Sequence, residues 1–285
     1  MKIVKLIGGL GNQLFQYAFA RALGEKSQDK VLLDASWYSN SYNSIHPRPL
    51  LLSLYNITLP IATNERMLYY QKIYRRTPKI VRKCLYESLV ETEDGYTEFD
   101  ESFFRKTKIY ATYRGYFQNL DYFKNLLKTL QQELTLTISL DSPNTRLLKQ
   151  IKSTNAVSLH IRAGDYCINR IKLLPMEYYK QAINYIKTKL ADPVFYLFSD
   201  DYGYLEKNIQ NLGIQRFQIV KNAQDKGYCD LELMRACKAN IIANSTFSLW
   251  GGVLNENADK IIIAPKTWIH NQRDYMGLPE SWIKI

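Results

Sequence analysis

Cysteine is scarce, and the little present has no metal-binding spacing. Cys84, Cys167, Cys229 and Cys237 are the four cysteines in 285 residues, with no CxxC pair and no histidine cluster beside them. A disulfide framework or a zinc site is therefore not expected, and the favoured reading is reduced, mostly structural thiols. Long apolar runs are absent too: none approaches the roughly 18–20 residues that a membrane-crossing helix needs. The first apolar segment, "IVKLI" at 3–7, meets glycines at once and does not make the core of a secretory signal. These absences lead to the expectation of a cytoplasmic chain. No internal repeat and no low-complexity segment is present. The dinucleotide fingerprint GxGxxG is also missing: glycines stand at 8, 9 and 11, and Leu14 occupies the third place. Asp34 stands where the acidic partner of that motif would be, so a nicotinamide-cofactor reading is weak.

Positive charge, by contrast, is abundant: 38 Lys and Arg against 27 Asp and Glu give a net +11. Such an excess calls for a polyanion, an anionic membrane or an anionic small substrate. It is unevenly spread. "RMLYYQKIYRRTPKIVRK" (66–83) holds seven basic residues and no acidic one, and "ETEDGYTEFDE" (91–101) is strongly acidic. The basic stretch reads as a solvated helix face, as a helix lying on an anionic membrane, or as a nucleic-acid contact. No nucleic-acid motif accompanies it, and no nucleic-acid partner is expected.

The length suits one large or two medium domains with ample core. "KIVKLI" (2–7) reads as a buried strand. It runs through the glycines into "NQLFQYAFARALGEK", where Leu14, Phe15, Ala18, Phe19 and Ala22 recur at helical spacing. "KVLLDAS" (30–36) closes a β–loop–α–β unit of the kind that builds parallel sheets. Residues 37–110 read as helical patches among loops. "IYATYRGYFQ" (109–118) alternates as a strand, and an amphipathic helix follows it. Beyond about 150, strands are expected at 156–162, 194–199, 215–220, 239–243 and 260–264. Helices are expected at 175–190, 201–210, 228–238 and 245–256, with Pro175 suited to a helix start. The fold class is α/β, divided into an N-terminal half (1–150) and a C-terminal half (151–285) whose tail packs on either.

In such sheets ligands bind beyond the carboxyl ends of strands, and polar groups gather there. In "VSLHIRAGDY" (157–166), Val157, Leu159 and Ile161 alternate with Ser158, His160 and Arg162. A guanidinium offers a planar fork of donors that suits a phosphate and keeps its charge at any working pH. Arg162 is thus the leading catalytic candidate. His160, two residues earlier on the same face, either contacts a base or ribose or orients Arg162. Asp165 either pairs with Arg162 or acts as a base. Asp200 and Asp201, in "FSDD", have three readings: acceptors for guanine or ribose, caps for the next helix, or ligands for Mg²⁺ or Mn²⁺. No further clustered ligand supports the metal. In "ANSTFS", Asn244 or Ser245 caps a helix, and its first N–H groups with the Ser245, Thr246 and Ser248 hydroxyls would cradle a phosphate. The bland alternative is an ordinary capped helix. In "GGLGNQ", Gly9 and Gly11 let backbone approach a ligand, and Asn12 and Gln13 offer side-chain hydrogen bonds.

Together, "GGLGNQLFQYAFARAL" (8–23), "HIRAGDY" (160–166) and "LMRACKANIIANSTFSLWGG" (233–252) resemble the bacterial α-1,2-fucosyltransferases of glycosyltransferase family 11. "FSDD", "PKTW" and "LPESWIKI" fit the same pattern. The resemblance implies a GT-B-type fold of two Rossmann-like halves with the active cleft between them, the acceptor on the N-terminal side and the donor on the C-terminal side. It implies GDP-L-fucose as donor, inversion, and transfer to the 2-hydroxyl of a galactose, without a metal or other cofactor. The implied partners are GDP-fucose and a galactose-terminated oligosaccharide or lipid-linked glycan of surface-glycan (O-antigen) synthesis, and the basic stretch 66–83 adds the expectation of peripheral contact with an anionic inner membrane. The family's His-x-Arg-Arg-x-Asp motif falls on His160, Arg162, Ala163 and Asp165, so the second arginine is here alanine. Leu249 stands where a tryptophan is expected. For the general base, Asp165 comes first, with Glu177 and Asp34 behind it. The competing readings are a GT-B transferase with another nucleotide sugar or linkage, and a carbohydrate-binding relative that has lost chemistry.

Overall fold

A computed structural model of the chain describes residues 1–39, 48–91, 99–105, 107–164, 173–268 and 276–285. It divides into two compact units. The first is Met1–Ile138 with Met276 and Gly277, and the second begins at Ser139 and includes Leu278–Ile285. The change of unit thus falls after Ile138, ahead of helix Ser142–Lys152. That helix carries its own start signals: Asp141 Oδ1 accepts the Asn144 N–H (3.0 Å), and a proline lies in the first turn.

In the first unit, β1 (Lys2–Lys5), β2 (Val31–Asp34), β3 (Ile61–Ala62), β4 (Tyr86–Val90) and β5 (Tyr110–Arg114) form a parallel sheet in the order β3-β2-β1-β5-β4. Helix Leu10–Ser27 follows β1 and buries Leu14, Phe15, Ala18, Phe19 and Ala22, the residues at helical spacing. Phe19 stacks on Phe117 with ring centroids 3.8 Å apart. The expected strand over 109–118 stops at Arg114. The cause is local: Glu91 Oε2 accepts the N–H groups of Tyr116 and Phe117 (2.7 Å each), and Phe117 turns to a φ of 51°. The expected amphipathic helix after it is two 3₁₀ turns followed by helix Leu127–Glu133. Residues 37–110 hold more order than patterning reveals, with β3, β4 and helices Asn64–Arg76 and Lys79–Leu85.

In the second unit, β6 (Ala156–Ile161), β7 (Val194–Ser199), β8 (Phe217–Ile219), β9 (Ala239–Ile241), β10 (Ile261–Ala264) and β11 (Ile283–Lys284) are parallel in the order β11-β10-β9-β6-β7-β8. Every residue of β6 is buried, as suits a central strand covered on both faces. Val157, Leu159 and Ile161 join the core with Tyr179, Ile183 and Ile186 of helix Met176–Lys189. The buried Tyr178 hydroxyl donates to the carbonyls of Ile242 (2.6 Å) and Ile263 (3.2 Å), tying that helix to the ends of two strands. The short β11 was not foreseen: its two residues pair with β10 through Ile283 and Lys284.

Candidate functional site

The second sheet reverses direction beside β6. The chain winds outward through β7 and β8, then returns to place β9 on the other side of β6. Such a switch point leaves a crevice at the carboxyl ends of the two strands flanking it. Arg162, Ala163 and Gly164 leave β6 there, and Ala243, Asn244 and Ser245 leave β9.

Arg162 Nε lies 3.2 Å from Asp200 Oδ2, with the two side chains 16% and 23% exposed. Asp200 Oδ1 accepts the Ala163 N–H (2.9 Å). A Cβ on Gly164 would stand 2.8 Å from Asp200 Oδ2, so the close fit there requires glycine. One carboxylate thus fixes both the guanidinium and the backbone that follows it. Burial opposes the charge on Asp200, but Arg162 and the Ala163 N–H outweigh it and hold the carboxyl below its ordinary range. Asp200 pairs with Arg162, and Asp165, which sequence offered as its partner, lies outside the described residues. Ala163 itself is fully buried.

His160 is buried, with its ring 6.0 Å from that of Phe247 in helix Thr246–Val253. Burial and then the Arg162 charge push its pKa down, against the pull of Asp200, so the imidazole is neutral. Its Nδ1 has no hydrogen-bond partner among the described residues. Phe247 and Asp200 are the two neighbours that sequence reasoning did not attach to His160 and Arg162. The pairing of β6 with β7, where His160 faces Phe198 and Ile161 faces Ser199, places Asp200 beside Arg162.

Around the β9 end, Ser245 occupies the cap position of helix Thr246–Val253, yet no side chain caps it. The expectation of an Asn244 or Ser245 side-chain cap therefore fails. Asn244 Nδ2 donates instead to the Trp268 carbonyl (3.1 Å). The buried Ser248 hydroxyl accepts the Ala243 N–H (3.2 Å) and donates to the Ser245 carbonyl (3.4 Å), holding the turn. Thr246 is half-buried in the first turn, at a helix end that favours negative charge. Asp201 Oδ1 accepts the Tyr204 N–H (2.9 Å) and caps helix Tyr202–Asn208, which is the capping reading of that residue.

The glycine loop lies in the first unit, at the switch point of its own sheet between β1 and β5. Gly8 has a φ of +82°, and a Cβ there would meet Asn12 Nδ2 at 2.7 Å. Gly9 begins helix Leu10–Ser27, without a side-chain cap, and Gly11 is buried within its first turn. Asn12 is half-buried, and its Oδ1 accepts from Gln118 Nε2 (3.0 Å). Gln118 follows β5 as Asn12 follows β1, and sequence reasoning passed over it. Gln13 does something other than expected. Its buried amide donates to the carbonyls of Gly8 (3.1 Å) and Pro49 (2.9 Å) and accepts from Leu51 and Leu52 N–H (3.0 Å each). With both ends of the amide engaged, it clamps the 49–52 backbone and has nothing to offer a ligand. Asp34 Oδ1 accepts the Ser36 N–H (2.9 Å), and Glu177 is exposed in the first turn of its helix.

Two parallel α/β units, one presenting an anchored arginine and an uncapped helix start at its switch point, are the architecture of a GT-B-type nucleotide-sugar transferase. The family model for glycosyl transferase family 11 matches residues 2–285, and the chain belongs to that family. It is 32% identical to the O-antigen biosynthesis glycosyltransferase WbnK of Escherichia coli, over 98% of this chain and 99% of that protein. It is also 32% identical to an Escherichia coli alpha-1,2-colitosyltransferase, over 99% of this chain and 98% of the relative. A solved structure of NodZ alpha-1,6-fucosyltransferase soaked with GDP-fucose shares the fold, with a TM-score of 0.56 at 13% identity over 89% of this chain and 92% of that one. The chain is a glycosyltransferase, and none of its described helices is long and apolar enough to cross a membrane.

Proposed function

We propose that the protein transfers L-fucose from GDP-β-L-fucose to the 2-hydroxyl of a galactose in a glycan acceptor, inverting the anomeric centre and using no metal. The reading rests foremost on one observation: Arg162, held by Asp200, leaves β6 at the switch point beside helix Thr246–Val253. In the reaction the bond from the sugar's anomeric carbon to the diphosphate breaks, and its electron pair leaves with GDP. Arg162 meets that growing charge, and the N-terminal end of helix Thr246–Val253 adds positive potential. Together they supply the role a divalent cation plays elsewhere. His160, neutral and with an open Nδ1, hydrogen-bonds the nucleotide. The acceptor's O2 forms the new bond from the opposite face, and its proton passes to a base, for which Asp165 is the first choice. Asn12 and Gln118 are the polar side chains at the first unit's switch point and take part in binding from there.

The test is incubation with GDP-fucose and lactose in EDTA, with the product linkage read by NMR. A 2-linked fucosyl-lactose is expected, and a product that forms only with added metal, or with a different linkage, overturns the proposal. The relation to a colitosyltransferase favours one second reading, a donor that carries colitose, which is fucose without its 3-hydroxyl. Competition between GDP-fucose and GDP-colitose at equal concentration separates the two. A glycan-binding relative without chemistry would raise its melting temperature with lactose but not with GDP.

A further inference from the structure

Helices Asn64–Arg76 and Lys79–Leu85 sit poorly on their own sheet. Of their 13 and 7 residues only Met67 is buried, while Leu68 (63%), Tyr69 (61%), Ile80 (80%) and Val81 (40%) stand exposed. A parallel sheet needs cover on both faces. Here a cavity of about 830 Å³ remains between these helices and the sheet. Ile3, Tyr74 and Tyr110 contribute apolar and aromatic lining, and Arg75, Lys79, Arg82 and Lys83 line it as well. The carboxylate among the lining residues, Glu87, accepts the Lys108 N–H (3.3 Å). Arg82 lies 5.0 Å over the Tyr74 ring, and its buried Nε has no hydrogen-bond partner among the described residues. An unsatisfied guanidinium edge inside an apolar groove asks for an anion with an apolar body.

We propose that this groove docks an anionic membrane lipid. The lipid's hydrocarbon lies against Ile3, Tyr74 and Tyr110, and its phosphate is held by Arg75, Lys79, Arg82 and Lys83. The exposed Leu68, Tyr69, Ile80 and Val81 enter the headgroup layer, as on interfacial helices. The inference stands apart from the donor chemistry, because the groove belongs to the first unit and touches none of the switch-point residues.

The test is sedimentation of the full chain with phosphatidylcholine vesicles, with and without phosphatidylglycerol, in the absence of nucleotide sugar. Failure here is therefore separate from failure of fucosyl transfer. Binding is expected only to the anionic vesicles, and to weaken as salt rises. The triple variant Arg75→Glu, Lys79→Glu, Arg82→Glu is expected to bind ~100-fold more weakly. Thr112→Trp, on an exposed position lining the groove, fills the cavity without changing charge and is expected to weaken binding at least ~10-fold. Melting temperatures of both variants report that they fold. Equal binding to neutral vesicles, full retention by Thr112→Trp, or tighter binding to RNA than to anionic vesicles would each overturn the proposal.

Discussion

Replacing Asp200 by asparagine isolates the charge that anchors Arg162. At 3.2 Å, opposite unit charges attract by about 5 kcal/mol at an effective dielectric constant of about 20. Desolvation of two largely buried groups takes back more than half of that, leaving ~2 kcal/mol. Asparagine keeps an oxygen for the Ala163 N–H, so the backbone bond survives and only the charge goes. The expected cost is about 2 kcal/mol at neutral pH, or roughly a 5 °C fall in melting temperature. Its pH dependence is diagnostic. A carboxyl whose folded pKa lies below its unfolded value contributes stability that is present above the ordinary carboxylate range, and that contribution is lost as pH falls through the folded value. The gap between wild type and variant should therefore be widest near neutrality and close in acid. Turnover should fall by about 10- to 100-fold through kcat, because the guanidinium is no longer aimed while donor contacts elsewhere persist. Thermal melts across pH and steady-state kinetics on the same preparation decide it. A melting gap that stays constant into acid, or an unchanged kcat, would refute the claim that Asp200 holds Arg162 by charge.

Other consequences are as direct. His160, shifted from 6.5 to about 3 by burial and by Arg162, stays neutral while the unfolded chain protonates. Stability should therefore decline as pH falls below about 6.5, and His160→Asn should remove part of that decline in denaturant melts. Gln13→Ala removes the side-chain acceptor of the Leu51 and Leu52 N–H groups and the amide donor to the Pro49 carbonyl, while the Gly8 carbonyl keeps the Tyr38 hydroxyl. A loss of about 2–4 kcal/mol and faster proteolysis within 48–52 are expected. Asp230, 2.7 Å from Asn222 Nδ2, is raised by burial from 3.8 to about 6. Its ionisation burdens the folded state increasingly as pH rises through that window. Asp230→Asn should thus stabilise the protein by up to about 3 kcal/mol at neutral pH, and the advantage should vanish in acid.

The second unit was largely legible because its strands are apolar runs between clear helical periods. The run 194–199 is the strand as observed, and "HIRAG", "FSDD" and "NSTFS" each fall at a strand's carboxyl end. Patterning could not supply partners across strands. That Asp200 meets Arg162 depends on the β6–β7 register, which is non-local. Gln13 shows a related failure. A glutamine beside a glycine turn reads as a ligand contact, but whether its amide faces inward depends on where the 49–52 backbone passes. In the first unit, β3 and β4 escaped notice because one has two residues and the other, "YESLV", sits at an edge with mixed exposure. The fold-breaking Phe117 left no mark at all, since a phenylalanine with positive φ carries none of the usual turn chemistry.

The return of Met276 and Gly277 to the first unit constrains how members of this family could be recombined. The Leu120 N–H donates to the Met276 carbonyl (2.8 Å), and Gly277, at a φ of +62°, fits where a Cβ would stand 2.5 Å from Asn119 Oδ1. The first unit is thus closed by residues that follow the whole second sheet but its last strand in sequence. A chimera joined at residue 138 would inherit its 115–121 turn from one parent and the residues that seat it from the other. Exchanging the first unit between relatives therefore calls for two crossovers, with the short 276–277 segment travelling along with residues 1–138.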